Sequence, residues 1–242
     1  MLKTLKTSLN DLNISLSDKQ LTDISFFLEE IYKNNKLFNL TGYKTKELIV
    51  EMLGVKSVLI ANSLVNHFFN NELKVIDIGT GAGIPGLIIK IIYPNLDVYL
   101  LDSNAKKVNF IKETINKLNL SNIVALNSRV EDNEFLNKYK QSFDFVFSQA
   151  VSNIAVLNEL STQLLKINGK VIHFKSKGYQ NEINFASNHL IDLGLELNIC
   201  DSYEFNNYFL VNVFYNKKTE ASNKYPREWS KIKKELIEDA RH

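Results

Sequence analysis

The spacing of apolar positions changes character near residue 70. Before it, Leu21, Ile24, Leu28 and Ile31 recur at helical spacing and predict a helix running to about Asn35. Its start is marked by Ser17 as cap, Gln20 reaching back in a capping box, and Leu16 against Leu21 as a hydrophobic staple. Residues 1–15 are indistinct beyond a short helix, residues 39–42 read as a turn, and about 45–69 form a second helical region that Gly54 can interrupt. After Leu73 short apolar runs alternate with helical stretches. Strands are expected at 74–78, 97–101, 123–126, 143–147 and 170–174, with a closing pair at 195–199 and 208–214. Between them fall helices at 85–93, 105–118, 131–140, 154–165 (stopped by Gly169) and 181–193 (stopped by Gly194). Repeated strand–helix units imply an α/β fold with a mostly parallel sheet and right-handed crossovers. The closing pair has no helix between its members, so one strand should run antiparallel. The expected organisation is an N-terminal helical cap at 1–70, a core at 71–216 and a C-terminal tail at 217–242, in one compact unit.

Composition removes several classes of function. Hydrophobic residues make up 45% of 242, enough for a packed core and against global disorder. Cys200 is the only cysteine, which rules out an internal disulfide or a cysteine-cluster zinc site. His67, His173, His189 and His242 show no metal spacing, so no metal is expected. No signal peptide and no uninterrupted run of about 20 apolar residues is present, which predicts a cytoplasmic protein without a membrane segment. The net charge of +2 neither demands nor excludes nucleic acid.

The candidate chemistry begins where the first strand breaks into glycines. Gly79, Gly81, Gly83 and Gly86 fall within eight residues between an apolar strand and an apolar helix. Such a loop turns sharply and lets the backbone approach a ligand. Gly81 to Gly86 fits the dinucleotide pattern G-x-G-x-x-G, which is weak alone. Asp77, Gly79, Gly81 and Gly83 also fit, without a gap, the acidic-x-Gly-x-Gly-x-Gly signature of S-adenosylmethionine (SAM) methyltransferases. Asp77 favours SAM, a cation with a free amino group, over a pyrophosphate that the carboxylate would repel. The other reading is a tight turn without a ligand.

Asp102 ends the second strand 21 residues after Gly81, where an acidic side chain accepts hydrogen bonds from a ribose diol. It is equally placed for turn chemistry with Ser103 and Asn104. Val130 and Glu131, after the third strand, are candidates to flank an adenine, or an acidic first turn of the next helix. Ser148 and Gln149 end the fourth strand, and Lys175 and Lys177 follow the fifth, all on the carboxyl edge where open α/β sheets bind ligands. Either lysine is a contact for RNA or cofactor, or a solvated charge. Residues 217–234 hold seven cations against two carboxylates, a local charge of +5, with Tyr225 and Trp229 interleaved. Cations with aromatics suit phosphate contact and base stacking; the other reading, and the stronger one for the tail taken alone, is a solvated tail whose Trp229 packs on the domain. The whole layout is that of a Rossmann-like SAM-dependent methyltransferase sheet.

Taken together these motifs resemble the bacterial 16S ribosomal RNA guanine-N7 methyltransferase family, also called glucose-inhibited division protein B (RsmG). The similarity runs from about Leu16 to Trp229, through residues 36–41 (Lys-Leu-Phe-Asn-Leu-Thr), the loop 77–86, Leu101-Asp-Ser103, Ser128-Arg-Val-Glu131 and Tyr225-Pro-Arg227. It implies SAM as methyl donor and N7 of a guanine in the 530 loop of 16S rRNA, in the small ribosomal subunit, as acceptor. It implies cofactor contacts at Gly79, Ile84, Val130 and Glu131. A monomer is expected, although the sequence does not give the oligomeric state. The chain departs from the family at Gln149, where Arg is usual, and at residues 54–57, where the family has His-x-x-Asp-Ser. Gln149 keeps hydrogen-bonding capacity without the charge. No catalytic side chain is expected, because guanine N7 already presents its lone pair and catalysis is positioning. RNA contacts are expected at Tyr225, Arg227 and Trp229. The alternatives are a ribosome-assembly factor with the same fold and weak activity, and a small-molecule SAM methyltransferase, against which the basic aromatic tail argues.

Overall fold

The computed structural model describes residues 1–68, 72–205 and 208–238. Phe69 at the end of the second helical region, Asn206 and Asn207 between the closing strands, and residues 239–242 lie outside them. The chain begins with α1 (Leu2–Asp11) and α2 (Asp18–Asn34), then α3 (Lys46–Ile49), a π-helical turn at Val50–Val55, α4 (Lys56–Ser63) and α5 (Val65–Phe68). Alternation follows: β1 (Lys74–Ile78), α6 (Gly86–Ile92), β2 (Asp97–Asp102), α7 (Ala105–Lys117), β3 (Ile123–Asn127), α8 (Asn133–Tyr139), β4 (Phe143–Gln149), α9 (Ile154–Thr162) and β5 (Leu165–Lys175). Then come α10 (Tyr179–Ser187), α11 (Leu190–Leu193), β6 (Leu195–Phe205), β7 (Tyr208–Lys217), α12 (Trp229–Lys233) and a second π-helical turn at Lys234–Glu238. The strands form one seven-stranded sheet in the order β3-β2-β1-β4-β5-β7-β6. β1 pairs parallel with β4, β2 with β3 and β4 with β5, while β7 runs antiparallel to both β5 and β6. Among the described residues the single antiparallel strand is therefore β7.

Packing divides the chain into two compact units, one of Met1–Leu73 with Thr80–Asn127 and one of Lys74–Gly79 with residue 128 onward. In the first, the Ser17–Gln20 capping box starts α2, whose Ile24, Phe27, Leu28 and Ile31 are buried. Phe27 stacks on Phe110 of α7 at 6.4 Å between centroids. Glu30 of α2 takes Lys117 of α7 at 2.7 Å and Lys33 at 2.9 Å. Lys90, in the otherwise apolar α6, is 2% exposed and donates to the carbonyls of Pro94 (2.7 Å) and Leu96 (2.5 Å), which closes the helix end. Burial lowers its pKa. In the second unit the β4 and β5 side chains Val146, Phe147, Val171 and Ile172 are fully buried and form the centre of the core.

Three sequence expectations are corrected. Gly54 does not interrupt its helical region: it lies in the π-helical turn, and a Cβ there would stand 2.6 Å from Leu28 Cδ1, so the glycine serves close approach to α2. Gly169 stops no helix. It lies within β5, which starts five residues before the expected 170 and whose register against β4 shifts between Phe143 and Phe145. A Cβ on Gly169 would meet the carbonyls of Lys166 at 2.9 Å and Asp144 at 3.0 Å, so this bulge admits only glycine. The helix expected at 181–193 is two helices, α10 and α11, separated near Asn188 and His189. Gly194 does end the second one, at φ +64.

Candidate functional site

The glycine loop is built against the end of β2. Thr80 N–H donates to Leu101 O at 3.0 Å, and the Gly83 and Ile84 N–H groups fold back onto Thr80 O, both at 3.0 Å. Gly81 N–H donates to Asp102 Oδ2 at 2.9 Å, and Asp102 Oδ1 accepts from Asn104 N–H at 2.8 Å. Asp102 is thus a turn residue and a loop anchor at once. A carboxylate offers about four lone-pair directions, and two remain for a ligand. Gly81 lies at φ +62, and a Cβ placed on it would meet nothing within 4 Å. The space over this glycine is open, as a ligand-cradling turn requires. Gly83, at φ +91, has the opposite reason for being glycine: Phe27 and Ile111 stand 3.4 and 3.5 Å from where its Cβ would be.

In the second unit Asp77 is fully buried at the end of β1, in register with Phe147 of β4. Gly79 follows at φ +69, exposed, with Val151 packed over it. After β3, Asp132 closes the loop by accepting from Ser128 Oγ (2.8 Å) and Arg129 N–H (2.9 Å), and these bonds, the backbone one first, hold its carboxyl below the usual range. The closed loop buries Val130 and leaves Glu131 half-buried, paired with Arg129 at 3.3 Å. Asp132 was not singled out from sequence, although its four-residue spacing from Ser128 was a usable signal.

The end of β4 carries a buried polar chain that sequence reading missed. Ser148 Oγ lies 3.1 Å from His173 Nδ1, and His173 Nε2 lies 2.8 Å from Asn158 Oδ1. Because the Asn158 oxygen only accepts, Nε2 carries the proton and Nδ1 accepts from Ser148. His173 is completely buried, and desolvation, with Lys175 nearby, depresses its pKa well below the ordinary value. The unfolded chain therefore takes up a proton near pH 6.5 that the folded protein refuses, so stability is lost as pH falls. We expect urea midpoints between pH 7 and 5.5 to report a loss of about 1.4 kcal/mol per pH unit below 6.5, and the slope to vanish in His173→Gln. A flat profile in the unsubstituted protein would show that the histidine titrates alike in the folded and unfolded chain, against its burial.

Gln149 is half-buried beside this chain. Lys177 is exposed in the turn after β5, whereas Lys175 is turned inward, donating to Ser152 O and Glu182 Oε2, each at 2.7 Å. The tail is far less free than its charge suggested. Lys217 is buried in β7 with Nζ on Thr162 O at 2.5 Å, and Lys224 pairs with Asp192 at 2.8 Å. Arg227 donates through its backbone N–H, Nε and Nη2 to Glu159, which is 2% exposed, and through Nη1 to Glu235. Tyr225 is buried and Trp229 half-buried. Lys231 and Lys234 remain exposed. Glu159 went unnoticed, though a lone carboxylate in the apolar run of α9 was the hint.

Among the described residues no cluster of three or more His, Cys, Asp or Glu can hold a metal, and no helix is long and apolar enough to cross a membrane. The chain matches, over residues 20–204, the model of the family described as GidB, rRNA small subunit methyltransferase G. It is 69% identical over 242 residues, all of both chains, to ribosomal RNA small subunit methyltransferase G of Mycoplasmoides gallisepticum. To the same-named protein of Mycoplasma capricolum subsp. capricolum it is 35% identical over 94% of this chain and 96% of that one. Among solved structures it resembles M. jannaschii TYW2 in complex with AdoMet, with a TM-score of 0.52 and 15% identity over 67% of this chain and 77% of that one, a likeness of fold.

Proposed function

The chain belongs to the rRNA small subunit methyltransferase G family, and from that premise we propose that it methylates N7 of a guanine in the 530 loop of 16S rRNA. It is an enzyme that takes its methyl group from SAM and delivers it to RNA of the small ribosomal subunit. The observation that carries the cofactor reading is the open turn at Gly81, whose N–H is held by Asp102 and above which a side chain would find only empty space. The residues we assign to SAM suit it in each unit: in the first, Gly81, Gly83 and Ile84 in the turn, with Asp102, which has lone pairs left for a ribose diol, and in the second, Gly79 and Asp77, a carboxylate for a cationic ligand. Val130 offers an apolar surface and Glu131 an acceptor for the adenine, and Gln149 a hydrogen-bonding amide at the end of β4. When bound, SAM supplies an electrophilic methyl on its sulfonium.

The protein's own part is positioning. Guanine N7 is an acceptor before any proton moves, so no general base is required, and the side chains need only hold the base in line. On the RNA side we assign phosphate contact to the exposed Lys177, Lys231 and Lys234 and base stacking to Trp229. Arg227 and Tyr225 hold the tail in place. A ribosomal substrate locates the reaction in the cytoplasm, and we read the enzyme as a monomer.

The test is methyl transfer from labelled SAM to small subunits of a strain lacking this gene, with nucleosides identified by mass spectrometry. N7-methylguanosine in the 530-loop fragment, formed over many turnovers, is the expected product. Label elsewhere would overturn the site, and less than one methyl per protein would favour an assembly factor. Asp102 gives a second test. Asp102→Ala removes the acceptor for both Gly81 N–H and the ribose, and SAM affinity should fall about ten- to a hundredfold, the worth of hydrogen bonds to a charged group. Calorimetry showing unchanged affinity would leave Asp102 a turn residue only.

A further inference from the structure

The loop between β4 and α9 is held in an uncommon conformation by groups that no cofactor contact requires. Ala150 lies at φ +57, a region where a residue with a Cβ is strained. The turn it makes places the Val151 isopropyl group on Gly79: a Cβ on that glycine would stand 2.6 Å from Val151 Cγ2. Val151 is nonetheless 41% exposed, an apolar side chain lying on a ligand loop with its outer face uncovered. The backbone just beyond is pinned at two points by one ion pair. Lys175 Nζ donates to Ser152 O at 2.7 Å and to Glu182 Oε2 at 2.7 Å, and that same Glu182 oxygen accepts from Ile154 N–H at 2.9 Å. Asn153 adds a third tie, capping α9 through Val156 N–H and donating to Leu236 O. The Lys175 side chain is only 11% exposed, little of it left to meet a phosphate.

We propose that the Lys175–Glu182 pair is a positioning device for SAM binding: it holds residues 150–153 so that Val151 covers Gly79 and presents an apolar wall to the cofactor. Lys175 acts through the loop and touches neither cofactor nor RNA. The strained turn at Ala150 persists because the pair over-determines the backbone that follows it. A cation with more than one N–H donor is needed at residue 175 because two acceptors of different kinds, a carbonyl and a carboxylate, must be bridged by one side chain.

The inference rests on the SAM reading, and the experiment separates the two. SAM affinity is measured by calorimetry, and affinity for small subunits across a salt series, for the unsubstituted protein and for Lys175→Met, Lys175→Arg, Glu182→Gln and Val151→Ala, with melting temperatures alongside. We expect Lys175→Met to weaken SAM about tenfold, Lys175→Arg to recover most of that loss, Glu182→Gln and Val151→Ala to fall between, and the salt slope of RNA binding to stay unchanged. Recovery by arginine distinguishes positioning from a packing defect. If Lys175→Met fails to fold, Glu182→Gln and Val151→Ala decide the question alone. Unchanged SAM affinity in the folded variants would overturn the proposal. So would a salt slope reduced by about one in Lys175→Met with SAM affinity intact, which would make Lys175 a phosphate contact. An unsubstituted protein that bound no SAM would instead sink the cofactor reading itself.

Discussion

Gly81→Ala is expected to abolish measurable SAM binding, a loss of at least about a hundredfold or 2.7 kcal/mol, while leaving the protein folded. The reason is geometric. Nothing lies within 4 Å of a Cβ at this position, so the new methyl costs no contact inside the protein and enters only the space above the turn. The remaining cost is conformational. Gly81 lies at φ +62, and a residue with a Cβ there pays about 1 kcal/mol, equivalent to about 2–4 °C in melting temperature for a chain of this size. Gly79→Ala makes the instructive contrast. Its Cβ would collide with Val151 at 2.6 Å, so that variant should lose stability and affinity together. Calorimetry and thermal melts on both proteins check the pair of expectations. Gly81→Ala with ordinary SAM affinity would show that the open space is not where the cofactor lies.

Arg227→Met should be the most destabilising single change in the tail, about 3 kcal/mol or roughly 6–12 °C in melting temperature. Glu159 is 2% exposed on α9 and accepts from three donor groups of Arg227, at 2.7 Å from the backbone N–H, 3.0 and 3.2 Å from Nε and 2.8 Å from Nη2. Removing the guanidinium strands a buried carboxylate. Glu159→Gln should cost less, because Arg227 is 18% exposed and keeps Glu235 as partner. The asymmetry is the signature of an internal anchor: a phosphate-binding arginine would show little stability loss and a reduced salt slope in RNA binding instead. Denaturant titration of the two variants measures it. The same anchor makes truncation of the tail a poor probe of RNA binding, since Lys217 is interior to β7 and Tyr225, Ile232 and Leu236 are buried.

What was legible in the chain was local. The capping box at Ser17, the alternation of strand and helix after Leu73, the lone antiparallel strand and the glycine turn are patterns within a few residues, set by period, cap chemistry and the conformations glycine allows. Asp102 was legible for the same reason, because β2 and its turn put a carboxylate at a fixed chain distance from Gly81. Gly54 and Gly169 misled because a glycine also marks close approach of backbone to a neighbour, and the neighbours, Leu28 and Asp144, are distant in sequence.

The partners of the charges were illegible on the same ground. Lysines and arginines read as solvated or RNA-facing were in part internal: Lys175 on Ser152 and Glu182, Lys217 on Thr162, Arg227 on a glutamate 68 residues away. Neither the Ser148–His173–Asn158 chain nor Val151 over Gly79 has any signature in spacing. The sequence by itself determined the alternation of elements, the glycine turn and the family. Which carboxylate meets Arg227 was decided only when the topology laid β7 beside β5, because a pairing between α9 and the segment after β7 depends on strand order, which no short stretch of chain encodes.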